Sequence, residues 1–364
     1  MEAGLPILAL PRYGRLGASS RLRLYDFDPY LRDAGLAPRY RPLLDDGYLR
    51  RFYGSGEKSA SGLAGRYLQR VAALLRPGET RLFWIEKELL PFLPFIEEAL
   101  LARSRRPVVL DLDDAWMLRY EEHPRAAVRR LLGHKFRALV RRADLIVAAN
   151  RHLQDWAEGQ GARATLLVPT VVDHQAYPPA DHGTADGALR LAWIGSPTTS
   201  QYLGPVLPLL AQLAERRPLT LVLIGAGPVE QAGLAIERVA WSEAAEKSVL
   251  ASCHLGIMPL SDGPWERGKS GFKLIQYMAA GLPVVASPVG ANRDIVTPDT
   301  GFLAADGEAW RLALERLLPD PRLRATMGAA GRRRVESDYS LVAWGPRLAS
   351  ALRRLADEGR QRPS

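Results

Sequence analysis

The chain has 364 residues, 47% of them apolar and 24% charged, a composition that excludes a mostly disordered chain and a length that suits two domains of roughly 100–200 residues each. A single cysteine, Cys253, excludes internal disulfides and a cysteine-based metal cluster. The net charge is +9, and residues 1–175 hold 28 basic against 21 acidic residues, so the first half carries +7 of it; such a half attracts a membrane surface, an anionic substrate or nucleic acid. Nucleic acid is the weakest of the three, because no zinc finger, RNP-type aromatic pattern or helix-turn-helix is present.

The opening Met1-Glu2-Ala3-Gly4 lacks a basic n-region and does not read as a signal peptide. No apolar run reaches 18 residues, and Leu89 to Ile96 is broken by Pro91 and Pro94. The expectation is a cytoplasmic protein, with peripheral contact at the inner membrane face left open by the basic half. Short β-type runs then alternate with longer helical patterns. The first half offers strands at 6–10, 38–42, 81–85, 108–112, 145–149 and 165–168, with helices at 20–34, 62–75, 92–103, 124–140 and 153–158 between them. The second half offers strands at 189–194, 220–224, 236–240, 255–259, 283–286 and 301–303. Alternation of this kind signals a parallel sheet covered by helices, and it occurs twice. Between the halves, His174 to Gly187 is rich in Pro, Gly, Asp and His without apolar period, a linker composition. The expected organisation is a first Rossmann-like domain at 1–174 for an acceptor, a linker at 175–188 and a second Rossmann-like domain at 189–339 for a donor. A helix within 340–364 is expected to pack back toward the first domain. Two such domains are expected to face a cleft, with ligands at the carboxyl ends of the strands.

Only six of the 49 basic residues are lysines: Lys58, Lys87, Lys135, Lys247, Lys269 and Lys273. Two of them stand four positions apart in residues 266–290, ERGKSGFKLIQYMAAGLPVVASPVG. Ser270 reads as an N-cap, helical spacing follows from Phe272 to Ala280, Gly281 ends the helix and Pro283 forbids its continuation. The loop Gly268-Lys269-Ser270-Gly271 therefore leads into a helix N-terminus at the ligand edge of a sheet, an anion site. A cation in a first turn opposes the helix dipole, so Lys273 is locally unfavourable unless an anion sits there. Gln276, three residues on, shares a face with Lys273 and can reach a ribose hydroxyl. A solvated surface helix is the bland alternative. The remaining four lysines are assigned no such role.

From Gln276 to Val285 the run QYMAAGLPVV resembles the E-A-M-A-x-G-x-P-V-V region of glycosyltransferase family 4, whose members are retaining enzymes of GT-B fold. The resemblance implies an α/β chain of two doubly wound domains. It also implies that Gln276 replaces the second Glu of the family's E-x7-E pair, the residue that contacts the ribose. Gly268 replaces the first, which touches the donor sugar; Asp262 and Glu266 lie just upstream as substitutes. The family's phosphate-contacting loop corresponds to Gly195-Ser196-Pro197-Thr198, and Gly225 falls near the nucleotide base. Lys269, Ser270, Gly271, Phe272 and Lys273 would line the donor diphosphate, with Lys273 stabilising the departing charge.

In the first half, Gly17 lies in a loop that the family places under the donor diphosphate, and Arg21, just beyond, can bind an anion on the acceptor side. Asp111, Asp113 and Asp114 crowd the end of a buried strand, where repulsion raises at least one pKa unless a cation intervenes. By resemblance, Asp113 stands where the family has a His and Asp114 matches its Asp, so either can orient or deprotonate an acceptor hydroxyl. Helix capping or pairing with Arg is the structural alternative. The resemblance implies no metal and no cofactor. Arg130, His134, Arg137 and Arg141 fall on one helical stripe, either a solvated face or a patch for anionic lipid. The expected activity is transfer of a sugar from a nucleotide-diphosphate sugar to a glycan, lipid-linked or small-molecule acceptor. A UDP-sugar epimerase and a catalytically silent sugar-nucleotide-binding subunit are the alternatives.

Overall fold

The computed structural model describes residues 4–55, 62–94, 96–103, 106–182 and 188–361. Lys58 and positions 183–187 of the expected linker lie outside them. The chain forms two compact units, one reaching to Thr170 and taking in the chain from Trp344 onward, the other Val171–Ala343.

In the first unit the strands are β1 (Leu5–Leu10), β2 (Leu36–Tyr40), β3 (Leu82–Glu86), β4 (Val108–Leu112), β5 (Leu145–Ala148) and β6 (Thr165–Leu167). They form one sheet in the order β2-β1-β3-β4-β5-β6, parallel at every pairing. Strands β1, β3, β4 and β5 are near-continuous apolar runs because helices cover both faces. The second unit repeats the plan with β7 (Leu189–Ile194), β8 (Leu219–Ile224), β9 (Ala235–Val239), β10 (Leu255–Met258), β11 (Val284–Ala286) and β12 (Gly301–Leu303). Its order is β12-β11-β10-β7-β8-β9, again parallel. One face of this sheet buries Leu274, Met278 and Tyr277, and the other buries Leu210, Leu314 and Trp310. The strand order reverses between β1 and β3 in the first sheet and between β7 and β10 in the second. Such reversals open a crevice at the carboxyl ends of the strands.

Several expected helices are broken. The 20–34 pattern becomes Ala18–Arg23, a 3-10 turn at Tyr25–Phe27 and Asp28–Asp33, with Pro29 in the first turn of the last. The pattern from 124 splits into Ala126–Leu132 and Lys135–Arg142 at Gly133, where a Cβ would lie 2.4 Å from the Arg129 carbonyl oxygen. The basic stripe therefore does not exist as one helical face. Arg137 pairs with Glu121 at 3.4 Å, and Arg141 donates to the Gln160 carbonyl at 2.9 Å. The helix Leu341–Gln361 closes the first unit, where Arg353 donates to the Ala34 carbonyl at 2.9 Å. Among the described residues no helix is long and apolar enough to cross a membrane.

Candidate functional site

In the second unit β10 runs into a short helix, Pro264–Arg267, then into residues 268–271 and the helix Phe272–Ala279. The cap of that helix is Gly271, not Ser270 as the sequence suggests. Gly271 has φ +67°, and a Cβ there would lie 2.4 Å from Ile295 Cδ1, so only glycine fits. The helix is buried from Leu274 to Ala279. Tyr277 fastens it: the ring occupies the space above Gly256 of β10, and the hydroxyl accepts from the Ile194 N–H of β7 at 2.9 Å. At its far end Gly281 (φ +74°) donates to the Met278 carbonyl, and Leu282 donates to the Tyr277 carbonyl, both at 2.9 Å.

This anchoring puts both lysines at the crevice between β7 and β10. Lys273 is half-buried, with Nζ 4.3 Å from the ring centroid of Trp193, which is fully buried. Among the described residues it has neither an ion pair nor a hydrogen bond. Burial and then the nearby Lys269 charge pull its pKa down to about 7. Lys269 Nζ is 5.9 Å from the Tyr202 ring and 5.8 Å from the Trp265 ring. Two ammonium groups thus face aromatic surfaces beside the free N–H groups of a helix start. Such an arrangement suits an anion.

The neighbouring loops are in contact. A Cβ on Gly195 would lie 2.1 Å from the Trp193 ring, and one on Gly225 (φ +75°) would lie 2.6 Å from the Gly195 carbonyl oxygen. Ser196 N–H donates to Thr199 Oγ1 at 2.9 Å, the Ser196 and Thr198 hydroxyls lie 2.9 Å apart, and Gly227 N–H donates to Ser200 Oγ at 3.0 Å. The last of these bonds ties the two glycine loops together. Trp241, 39% exposed, rises beside Gly225, and its Nε1 donates to Glu246 at 2.9 Å.

Gln276 is only 2% exposed. Its Nε2 donates to the Tyr177 hydroxyl at 3.3 Å, which donates to Glu246 at 3.1 Å. Gln276 is therefore tied to Tyr177 and Glu246, whereas Lys273 faces the Trp193 ring. Neither expected substitute for a Glu at 268 is free: Asp262 pairs with Arg267 at 2.7 Å, and Glu266 accepts the Tyr202 hydroxyl. Gly268 itself caps the short helix, while Phe272 packs against the core. Glu246 was not legible as a site residue, since nothing in an ordinary capped helix marks it for burial.

The first unit gathers charge where its own strand order reverses. Gly17 opens the helix Ala18–Arg23 close against Tyr13, since a Cβ at Gly17 would lie 2.4 Å from the Tyr13 Cβ. Arg21 is buried, with Nε 4.0 Å from the partly exposed Asp26. Ser20 donates to Glu86 at the end of β3, which also accepts the Arg12 N–H at 2.8 Å, and the one Ser19 hydroxyl proton is shared between Glu86 at 2.8 Å and Asp113 at 2.5 Å. The next residue, Lys87, has φ +62°. Its ammonium donates to Ser19 and lies 3.0 Å from Glu86 and 3.2 Å from Asp113. It also stands 4.7 Å from the centroid of the Trp116 ring. Burial alone would lower the Lys87 pKa, but Asp113 and Glu86 outweigh it and raise it. Burial alone would raise the Asp113 carboxyl, but Lys87 and Ser19 hold it below the ordinary range.

The neighbouring carboxylates have other partners. Asp111 takes Arg23 at 2.8 and 3.2 Å, yet burial still pushes its pKa up to about 6. Asp114 is half-buried beside Asp113. Among the described residues no group of three or more His, Cys, Asp or Glu is placed to hold a metal ion. One step further in, Lys135 binds Glu88 at 2.8 Å and Glu97 at 2.7 Å. Two lysines left without a role by sequence thus lie at the centres of buried carboxylate clusters. Glu86, Lys87 and Glu88 were missed. Their signal was three consecutive ionisable residues directly after the apolar run LFWI.

Two parallel, doubly wound six-stranded sheets define the GT-B fold. Sucrose-phosphate synthase from Thermosynechococcus elongatus superposes with a TM-score of 0.72 at 16% identity, covering 97% of this chain and 99% of that one. Anabaena HepE, solved with UDP and glucose, gives 0.66 at 19% identity over 96% and 100%. The model of the family described as Glycosyl transferases group 1 matches residues 191–320, within the second unit. A GDP-mannose-dependent monoacylated alpha-(1-6)-phosphatidylinositol monomannoside mannosyltransferase of Corynebacterium glutamicum is 39% identical over 84 residues. That match spans 22% of this chain and 22% of the relative's length.

Proposed function

We propose that the protein is a retaining glycosyltransferase that moves a sugar from a nucleotide-diphosphate donor to a hydroxyl of a glycan, lipid-linked or small-molecule acceptor. One observation carries this reading. Lys273 is half-buried, has no anionic partner among the described residues and is depressed to a pKa of about 7, beside a second lysine and a helix N-terminus. A site so costly to keep empty suits a ligand with two negative phosphates, and the charge that grows on a leaving diphosphate suits it further. Lys269, Ser270, Gly271, Phe272, Gly195, Ser196 and Thr198 surround the phosphates, and Gly225 with Trp241 takes the base. On the acceptor side, Asp113 and Asp114 meet the hydroxyl. The retained configuration rests on the resemblance alone.

A similar protein is named for GDP-mannose and another was solved with UDP and glucose, so the test uses both nucleotides. Calorimetric titration with UDP, GDP and their sugars is expected to give binding. Sugar release from one of them is expected to fall at least tenfold in Lys273→Ala with Tm held within a few degrees. Near-wild-type turnover in that variant overturns the assignment. Binding without any sugar release favours the silent-subunit reading, to which Gly268 already points. A changed sugar still attached to its nucleotide favours the epimerase.

A further inference from the structure

The edge strand β2 carries two arginines on one face of the first sheet. Arg39 pairs with Leu8 of β1, and just beyond the strand the Arg41 N–H donates to the Ala9 carbonyl at 2.9 Å. Two positions apart on extended chain, their side chains leave on the same side. The helix Leu63–Leu75 borders that face. Its Gln69, Ala72, Ala73 and the capping Arg76 stand three or four positions apart and, with Arg39 and Arg41, line a cavity of about 320 Å³. Among the described residues no Asp or Glu lines it, and none of the three guanidinium groups has an ion pair or a hydrogen bond. Three arginines around one hollow suit phosphate oxygens, which the planar guanidinium takes two at a time.

The polarity of the helix is inverted. Its inner face holds the buried Arg70, which donates to the Leu89 carbonyl at 3.1 Å, the Arg41 carbonyl at 2.9 Å and the Pro11 carbonyl. Its outer face turns Ala64, Leu68, Ala72 and Leu75 to the surface, with Leu68 69% and Leu75 53% exposed. Single leucines on a surface need no explanation. Here Ala72 belongs both to the apolar row and to the cavity wall, so leucines and arginines share one surface. A dissolved phosphate uses the arginines and leaves the leucines wet. A bilayer with anionic headgroups uses both, through its phosphates and its acyl boundary.

We propose that the helix Leu63–Leu75, with Arg39 and Arg41, is a docking surface for a membrane of anionic phospholipid. Leu68 and Leu75 enter the headgroup boundary, and a lipid phosphate sits among Arg39, Arg41 and Arg76. The positive excess of the first half thereby acts at this helix instead of along the divided helices from Ala126 to Arg142. The assignment is independent of the nucleotide-sugar reading and is tested without a donor.

The test sediments the full chain with vesicles of phosphatidylcholine alone and of phosphatidylcholine with about one-third phosphatidylglycerol. Wild type is expected to bind the anionic vesicles, to stay free of the neutral ones and to be released at about 0.5 M salt. An arginine at such a surface strengthens binding about fivefold, so Arg39→Gln, Arg41→Gln and Arg76→Gln combined should weaken it about 100-fold. Leu68→Ser with Leu75→Ser leaves the charge unchanged and should weaken it about tenfold or more. All five side chains are exposed, so Tm should hold within a few degrees. Should the triple variant not fold, Arg76→Gln alone, at the end of the helix, should lose about fivefold. Equal binding to both vesicles overturns the proposal, as does unchanged binding in the arginine or the leucine variant. Calorimetric binding of inorganic phosphate at the arginines without any vesicle binding assigns the cavity to a free anion and overturns it too. So does a dimer that the leucine variant abolishes while no vesicle is bound, since that gives the face to a second copy of the chain.

Discussion

Binding of a nucleoside diphosphate should draw a proton out of solution, and Lys273 fixes how much. The free protein holds this lysine at a pKa of about 7, against an ordinary 10.5, because burial strips its water and Lys269 repels its charge. With that pKa, about nine-tenths of the molecules carry a neutral Lys273 at pH 8 and about one-tenth at pH 6. A bound diphosphate supplies the missing anion and returns the pKa toward its ordinary value. Proton uptake per ligand is therefore expected to rise from about 0.1 at pH 6 to about 0.9 at pH 8. Affinity should fall about tenfold per pH unit above pH 8. The ligand's own last proton leaves near pH 6, so above pH 7.5 it adds little. Calorimetry in two buffers of different ionisation enthalpy reads the proton count directly. Stability is linked with the same sign. Between about pH 7 and 10.5 the unfolded chain binds more protons at this residue than the folded one, so wild type should gain stability relative to Lys273→Met as pH rises through that window. Equal proton uptake by wild type and Lys273→Met at pH 8 would refute the reasoning.

Three further outcomes follow from named contacts. Gly271→Ala forces a side chain into φ +67° and against Ile295; urea unfolding should show a loss of about 1–3 kcal/mol, with diphosphate affinity falling too. Arg23→Met leaves the fully buried Asp111 without its cation, which should cost about 3–5 kcal/mol, measured at pH 8. Gln276→Glu replaces the amide that donates to Tyr177 with an acceptor next to the Glu246 network. Stability should drop by about 1–3 kcal/mol at pH 8 and recover toward pH 5, where the added carboxyl takes a proton; an unchanged pH profile counts against the network.

How far these features were legible in the sequence depends on the range of the forces involved. Strands such as β4 and β7 are apolar runs bounded by turn residues, so local pattern is enough to find them. The same holds for the segment from Gly268 to Pro283, where glycine, lysine and proline punctuate one helix. Its cap was misread because Ser270 is the better capping side chain in isolation, whereas the space beneath Ile295, supplied from 24 positions away, admits only Gly271. Gly133 splits a helix whose periodicity runs straight through it. The buried charges were hardest. Lys87 and Lys135 look like any surface lysine until the fold brings Glu86, Glu88, Glu97 and Asp113 around them. Gln276 shows the same limit: its spacing from Lys273 was correct, but the hydroxyl of Tyr177, 99 positions distant, claims it.

Tyr277 has a consequence for how such a protein can change its substrate. Its ring rests on Gly256 and its hydroxyl holds the β7 backbone at Ile194, so the lysine-bearing helix is riveted to two strands of the sheet. The Tyr277 contacts involve neither Gly225 in the loop after β8 nor Trp241 in the loop after β9, although Trp241 reaches the helix through Glu246, Tyr177 and Gln276. On the proposed reading, substitutions or insertions there would alter which base is preferred while the two lysines stay where they are. A selectivity swap between related chains should thus be transferable by exchanging those two loops, with the helix Phe272–Ala279 left untouched.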